Sequence, residues 1–316
     1  MDQVARAAER VLEGFAHEVV FYDGAADHAR VLLPFIREGV DLGEPVLVAL
    51  APPAIDALRG ELAADARHVE FVDIVELGAN PARILPVWRT FVARNAGRGR
   101  LRGVGEPVWA GRRDEELVEA QLHEALLNVV FDDGPAWRLL CPYDASELPA
   151  WVIEEARRTH PVVHDNVGRG VRYAGPGHAV ATFGDRLPEP PRSTQRFPFA
   201  IDELGALRDH VRGVAHAAGL SPATAEDLVL AAHELATNSV LHADGHGVLH
   251  LWREPGALVV QVDDAGHIDN PLVGRAEPDF NAMGGRGIWM VNQLCDLVQV
   301  RSNGRGTQVR VYSWLG

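Results

Sequence analysis

Between Glu18 and His160 the chain alternates short apolar runs with longer amphipathic stretches, and this rhythm admits few folds. The runs are EVVFYD (18–23), PVLVALA (45–51), VEFVDI (69–74), LRGVGEP (101–107) and WRLLCPYD (137–144). Helical periodicity covers 26–41, 53–64, 80–95, 114–130 and 148–159 between them. Runs this short and rich in Val, Leu and Phe, each followed by a helix, predict a parallel sheet covered on both faces. The first half therefore reads as an α/β domain.

Residues 184–198 hold four prolines and several charges, the composition of a linker. Beyond them the rhythm changes. Two helices are predicted over 201–218 and 222–243, with Ser221 as N-cap and Pro222 at the first helical position. Strand-like runs at 247–253 and 257–263 come next, then a Gly-rich stretch to Gly285, a short helix (286–295) and the closing strands LVQVRS and TQVRVYSW. Helices followed by mostly antiparallel strands predict an α+β domain with helices packed on one face of a sheet. The expected division is a domain over 1–175, a linker over 176–198 and a second domain over 199–316.

Composition narrows the function. A net charge of −14 and no basic run with interleaved aromatics argue against a nucleic-acid partner. No apolar run approaches the ~20 residues of a membrane-spanning helix, so no membrane partner is expected. The segment MDQVARAAERVLEGFAHE lacks the apolar core of a signal peptide. Two cysteines, Cys141 and Cys295, far apart in sequence and in different predicted domains, argue against a disulfide framework or a thiolate metal site, and a cytoplasmic location follows as the expectation. Cys141 reads as a small buried hydrophobe, with redox sensing as the sharper alternative. None of the fourteen histidines pairs with another at ligand spacing beside a carboxylate.

Four elements of the second domain stand out, each weak alone. Glu234 and Asn238, four residues apart on a predicted helix, share one face with His242, while Leu228, Val229, Ala232, Leu235, Ala236 and Val240 supply the buried stripe. On most surface helices such a pair is bland. Asp264 closes a strand and is followed by Gly266, which lets a ligand approach the backbone or simply makes a turn. Gly284-Gly285-Arg286-Gly287 leads into a helix, whose N-terminal N–H groups favour phosphate, though flexible loops also hold such glycines. Gly304-Arg305-Gly306-Thr307 precedes the last strand and by itself is only a turn.

In this order the four resemble the N, G1, G2 and G3 boxes of the GHKL (Bergerat-fold) ATPases, over about 115 residues. The short form is similar to the anti-sigma-factor serine kinases. The resemblance implies an α/β sandwich that binds ATP with Mg²⁺. It implies Asn238 as the Mg²⁺ ligand, Glu234 as the general base and Asp264 as acceptor for the adenine amino group, with Gly266 giving room. Gly285, Arg286 and Gly287 would line the triphosphate, and Thr307 would sit beneath the adenine. Partners implied in the same way are a sigma factor and a STAS-type anti-sigma-factor antagonist, with a homodimer as a further assembly. One departure stands in the G1 box: His267 and Ile268 follow Gly266 where the family usually continues Gly-x-Gly, so position 268 is denied glycine-only angles. That departure keeps open a rival, a nucleotide-gated binding protein without phosphotransfer. His233-Glu234-Leu235 also resembles the phosphoacceptor box of sensor histidine kinases, but Asn238 stands where that box has proline. His233 to Thr237 fails as a zinc-protease motif because Thr237 replaces the second histidine.

In the first domain Tyr22, Asp23, Glu106, Tyr143 and Asp144 fall at predicted C-terminal strand ends, the edge where open parallel sheets bind ligands. Capping of the following helices is an equal reading of the aspartates. The segments around His17–Tyr22, Gly43–Pro45, Asn80-Pro81, Gly105–Trp109, Leu140–Asp144 and His160-Pro161 resemble the MEDS sensory domain, over about 145 residues. The resemblance implies a three-layer, degenerate RecA-like fold that senses an unnamed small-molecule or protein signal. The loop Asp23 to Ala29 has no Gly-Lys-Ser/Thr and should not cradle a nucleotide as a P-loop does.

Overall fold

The computed structural model describes residues 14–164, 172–278 and 286–315. The chain divides into two compact units, Met1–Ala179 and Val180–Gly316.

In the first unit the apolar runs become strands β1 (Phe15–Tyr22), β2 (Val46–Leu50), β3 (Val69–Asp73), β4 (Leu101–Gly105) and β5 (Trp137–Asp144). A short sixth, β6 (Val162–His164), has only three residues and left no periodicity to read. All pair in parallel, in the order β3-β2-β4-β5-β1-β6. Helices α1 (Ala25–Asp41), α2 (Pro52–Leu62), α3 (Ile74–Leu77), α4 (Leu85–Arg94), α5 (Asp114–Val130) and α6 (Ala150–Thr159) connect them. Successive strand residues face opposite ways. Val20 and Leu140 pack with Leu32, Phe35 and Ile36 of α1. His17 and Cys141 point to the other face, where α5 supplies Glu124. Both faces are thus covered, as continuous apolar runs require.

The second unit begins within the short helix α7 (Gly177–Gly184). Helix α8 (Leu204–Ala218) ends on Gly219, whose φ of 88° is the left-handed C-terminal geometry that glycine provides. Ser221 caps α9 (Pro222–His242), its Oγ accepting the Thr224 N–H at 3.1 Å. The five-stranded antiparallel sheet runs β10-β11-β9-β8-β7. Its strands are β7 (Gln195–Phe199), β8 (Gly247–Glu254), β9 (Ala257–Asp264), β10 (Leu297–Asn303) and β11 (Gly306–Trp314). Helix α10 (Arg286–Leu294) lies between β9 and β10 in sequence. Leu228, Leu235 and Ala236 of α9 share one core with Val260 and Val262 of β9 and Val309 and Val311 of β11.

Strand β7 has no counterpart in the sequence reading, which runs linker composition up to residue 198. It is an edge strand, the one place where Pro198 costs the sheet little. Farther back, the Leu187 N–H donates to Gln308 Oε1 at 3.1 Å and Arg310 Nη2 donates to the Pro188 carbonyl at 2.5 Å, fastening that proline-rich segment to β11. Among the described residues no helix is long and apolar enough to cross a membrane.

Candidate nucleotide site

The apolar stripe on α9 turns Asn238, Ser239 and His242 toward the ends of β9 and β11. There they line a cavity of about 520 Å³ with Asp264, Gly266, Gly287 and Thr307. Val262, Ile268, Val273, Ile288 and Val309 form its apolar walls. This mixture of apolar walls and a few convergent polar groups is what a small-molecule site presents.

The polar groups hold one another in place. Asp264 Oδ1 accepts the Gly266 N–H at 2.8 Å, and Oδ2 accepts the Ser239 hydroxyl at 2.6 Å. An ionised carboxylate has about four acceptor positions, so each oxygen keeps capacity for a donor on a ligand. Thr307 donates its hydroxyl to the Gly266 carbonyl at 2.9 Å and lies 2.9 Å from Ser302 Oγ. Ser302 in turn accepts the Ile268 N–H at 2.8 Å.

Three glycines are fixed by space. A methyl group on Gly266 would sit 2.8 Å from the Ala243 Cβ, and one on Gly287 would sit 2.7 Å from Asn238 Nδ2. At Gly306, φ is 121° and a Cβ would meet the Asp264 carbonyl at 2.1 Å. The backbone therefore approaches both Asp264 and Asn238 as closely as glycine permits.

Asp263, next to Asp264, faces the other side of β9. Burial raises its pKa, but hydrogen bonds from His250 and Gln261 outweigh burial and hold it below the usual aspartate value.

Of the residues singled out in the sequence, the fold brings Asn238, Asp264, Gly266, Gly287 and Thr307 together around one cavity. Glu234 is half-buried one turn before Asn238 and does not line that cavity. Arg286 opens α10, exposed, and is likewise outside the lining. Gly285 lies outside the described residues. Sequence reasoning missed Ser239 and Ser302. Ser239 follows directly on the Asn238 signal, but its partner is 25 residues away, and only the helix-to-strand packing pairs them. Ile268 is not among the residues with positive φ, and its N–H is taken by Ser302.

At the strand ends of the first unit, Tyr22 donates its hydroxyl to Glu106 Oε1 at 2.6 Å. Burial first, and then the Glu106 charge, raise the Tyr22 pKa. His28 of α1 lies 3.5 Å from the other Glu106 oxygen, and its ring is tilted against the Tyr22 ring with centroids 4.6 Å apart. Asp144 Oδ1 accepts the N–H groups of Gly24 and Ser146, a loop-fastening role. Asp23 is exposed, its N–H donating to Asp27. Tyr143 points to the opposite face, its ring edge-on to His160, so it does not join Tyr22 and Glu106. A larger cavity of about 730 Å³ in this unit is lined near the starts of β2 and β3, and none of these residues borders it.

Residues 16–161 match the family model of the MEDS domain, the methanogen/methylotroph, DcmR sensory domain. Residues 197–313 match that of the histidine kinase-like ATPase domain. The chain carries a MEDS domain followed by a histidine kinase-like ATPase domain. The second assignment implies ATP binding, usually with Mg²⁺. No curated protein matches the chain. A solved structure of the RsbU and RsbW domains of Rv1364c from Mycobacterium tuberculosis aligns at 18% identity with a TM-score of 0.31. That alignment covers 40% of this chain and spans a third (33%) of the other.

Proposed function

We propose that this is a signal-responsive regulator whose second unit binds Mg²⁺-ATP and phosphorylates a serine or threonine of a STAS-type anti-sigma-factor antagonist. In the same reading its alternative partner is a sigma factor, and the MEDS domain, joined through residues 176–198, receives the signal. The observation that carries the nucleotide part is the Asp264 carboxylate, held by Ser239 and Gly266 at the mouth of a cavity whose other wall is Asn238 against Gly287.

The residues fit the group. Asp264 has acceptor capacity for an exocyclic amine, the apolar walls suit a flat base, and the glycine at 287 leaves backbone space that a Cβ would fill. Bound ATP would supply the transferable phosphoryl group. In this reading Asn238 offers its amide oxygen to Mg²⁺, and Glu234, one turn earlier on α9, accepts the proton of the attacking hydroxyl. The N-terminal N–H groups of α10 favour the phosphate charge.

One observation favours a second reading, nucleotide-gated partner binding without transfer. Ile268 occupies the usual glycine position and is tied to Ser302, which restrains the backbone entering the segment that follows.

Calorimetry with ATP and Mg²⁺ tests the site: Asn238→Ala and Asp264→Asn should each weaken binding by about tenfold or more, roughly 1.4 kcal/mol. No detectable binding by the wild type would overturn the reading. Transfer to an antagonist, lost in Glu234→Ala while ATP affinity persists, separates the kinase from the binding protein. An acid-labile phosphohistidine on the chain itself would point instead to a sensor histidine kinase.

A further inference from the structure

Four side chains from distant parts of the first unit meet in its core, away from Tyr22 and Glu106. His17 comes from β1, Glu124 from α5, Cys141 from β5 and His160 from the residue after α6, and each is at most 1% exposed. One ligand-capable atom of each lies within 4.8 Å of all the others. His17 Nε2 is 2.8 Å from Glu124 Oε2 and 3.4 Å from Cys141 Sγ. His160 Nε2 is 3.0 Å from the same carboxylate oxygen but makes no hydrogen bond to it. Glu124 Oε1 is buried with no hydrogen-bond partner.

The far nitrogens of the two rings decide what this cluster can be. The Asn128 amide nitrogen donates to the Thr159 carbonyl at 2.7 Å, which turns its Oδ1 toward His17 Nδ1 at 3.2 Å. His160 Nδ1 faces the Ala156 carbonyl at 2.7 Å. Both Nδ1 atoms meet acceptors and therefore carry the proton in the neutral ring. Both Nε2 lone pairs are left facing a carboxylate and a sulfur. Protonating both rings would place two positive charges side by side in a dry core, which burial opposes. A single cation among the four atoms resolves the excess of acceptors.

We propose that His17, Glu124, Cys141 and His160 are the ligands of one divalent transition-metal ion of the zinc class. Imidazole, carboxylate and thiolate are the donors such ions take, and four protein ligands make a closed, structural site. One thiolate and one carboxylate cancel the charge of a divalent ion, so the buried centre is neutral. Histidines that bind metal commonly donate their other N–H to a carbonyl or amide, which is what Ala156 and Asn128 accept. A tetrahedral zinc centre has ligand–ligand edges of about 3.3–3.8 Å. To reach them the 2.8 and 3.0 Å contacts lengthen by about half an ångström, the 3.4 Å contact already fits, and any pair near the 4.8 Å limit closes by about 1 Å. On binding, the sulfur–hydrogen bond breaks, the sulfur–metal bond forms and the proton leaves to solvent, with no electron transferred. The ion ties β1 and β5 to α5 and α6.

The test uses the full chain, stripped of metal under denaturing conditions and refolded with Zn²⁺ or Co²⁺. One equivalent of metal per chain is expected, and the Co²⁺ form should show tetrahedral visible bands with a thiolate-to-cobalt charge-transfer band. Cys141→Ser should remove that band and weaken binding by about tenfold or more, whereas Cys295→Ser should leave both unchanged. The metal-refolded chain should also melt at a higher temperature than the chelator-refolded one. If Cys141→Ser does not fold, the wild-type cobalt spectrum and the Cys295→Ser control decide. A folded wild type that retains no metal, or a cobalt form without the thiolate band, would overturn the proposal.

Discussion

Asp264 is oriented before any ligand arrives, and the residue responsible is Ser239. Its hydroxyl bond of 2.6 Å to Asp264 Oδ2 and the Gly266 N–H bond to Oδ1 fix the plane of the carboxylate. Ser239→Ala removes one of the two and should lower ATP affinity by about fivefold, near 1 kcal/mol, measured by calorimetry. That is less than Asp264→Asn, because the acceptor itself remains. Asp263, one residue earlier, bears on stability instead. Its folded pKa is depressed by His250 and Gln261, so its carboxylate stabilises the fold above the unfolded aspartate pKa and loses that contribution as pH falls through the folded one. The thermal midpoint of the second unit should fall below about pH 4, and Asp263→Asn should flatten that fall.

At the scale of elements, α9 and α10 meet where Gly287 leaves room for Asn238. An alanine at 287 would place its Cβ 2.7 Å from the Asn238 amide while favouring helix locally. Gly287→Ala should therefore reduce the Mg²⁺-dependent part of ATP affinity by about tenfold, a 1.4 kcal/mol change, with little change in denaturant midpoint. Calorimetry with and without Mg²⁺, beside urea unfolding, checks both halves. The stripe of α9 and its Ser221 cap were legible because each depends on nearest neighbours in the helix. Strand β7 was not. Its Pro198 and arginine read as linker, and it is a strand only because β8 offers it an edge. The hydrogen bond of Ile268 to Ser302 was equally hidden, since its donor and acceptor are 34 residues apart.

For the whole molecule, each unit has hydrophobic clusters of its own, so a ligand of one unit stabilises that unit by mass action. Mg²⁺-ATP at a hundred times its dissociation constant should add about 2.7 kcal/mol. Scanning calorimetry should show this as an upward shift in the transition of the unit Val180–Gly316, abolished by Asn238→Ala. The sequence by itself determined the two fold classes, the helices and strands other than α3, α7, β6 and β7, and the order of the four box-like motifs. Each of these is written in local periodicity or in short spacings along the chain. The same local logic set the histidines aside, because no pair of them had ligand spacing. Only the tertiary structure decided that Ser239 anchors Asp264, that Tyr143 turns away from Tyr22, and that His17, Glu124, Cys141 and His160 share one buried point. Those four lie on three strands or helices and one helix end, far apart in sequence, and parallel pairing of β1 with β5 under α5 is what brings them together.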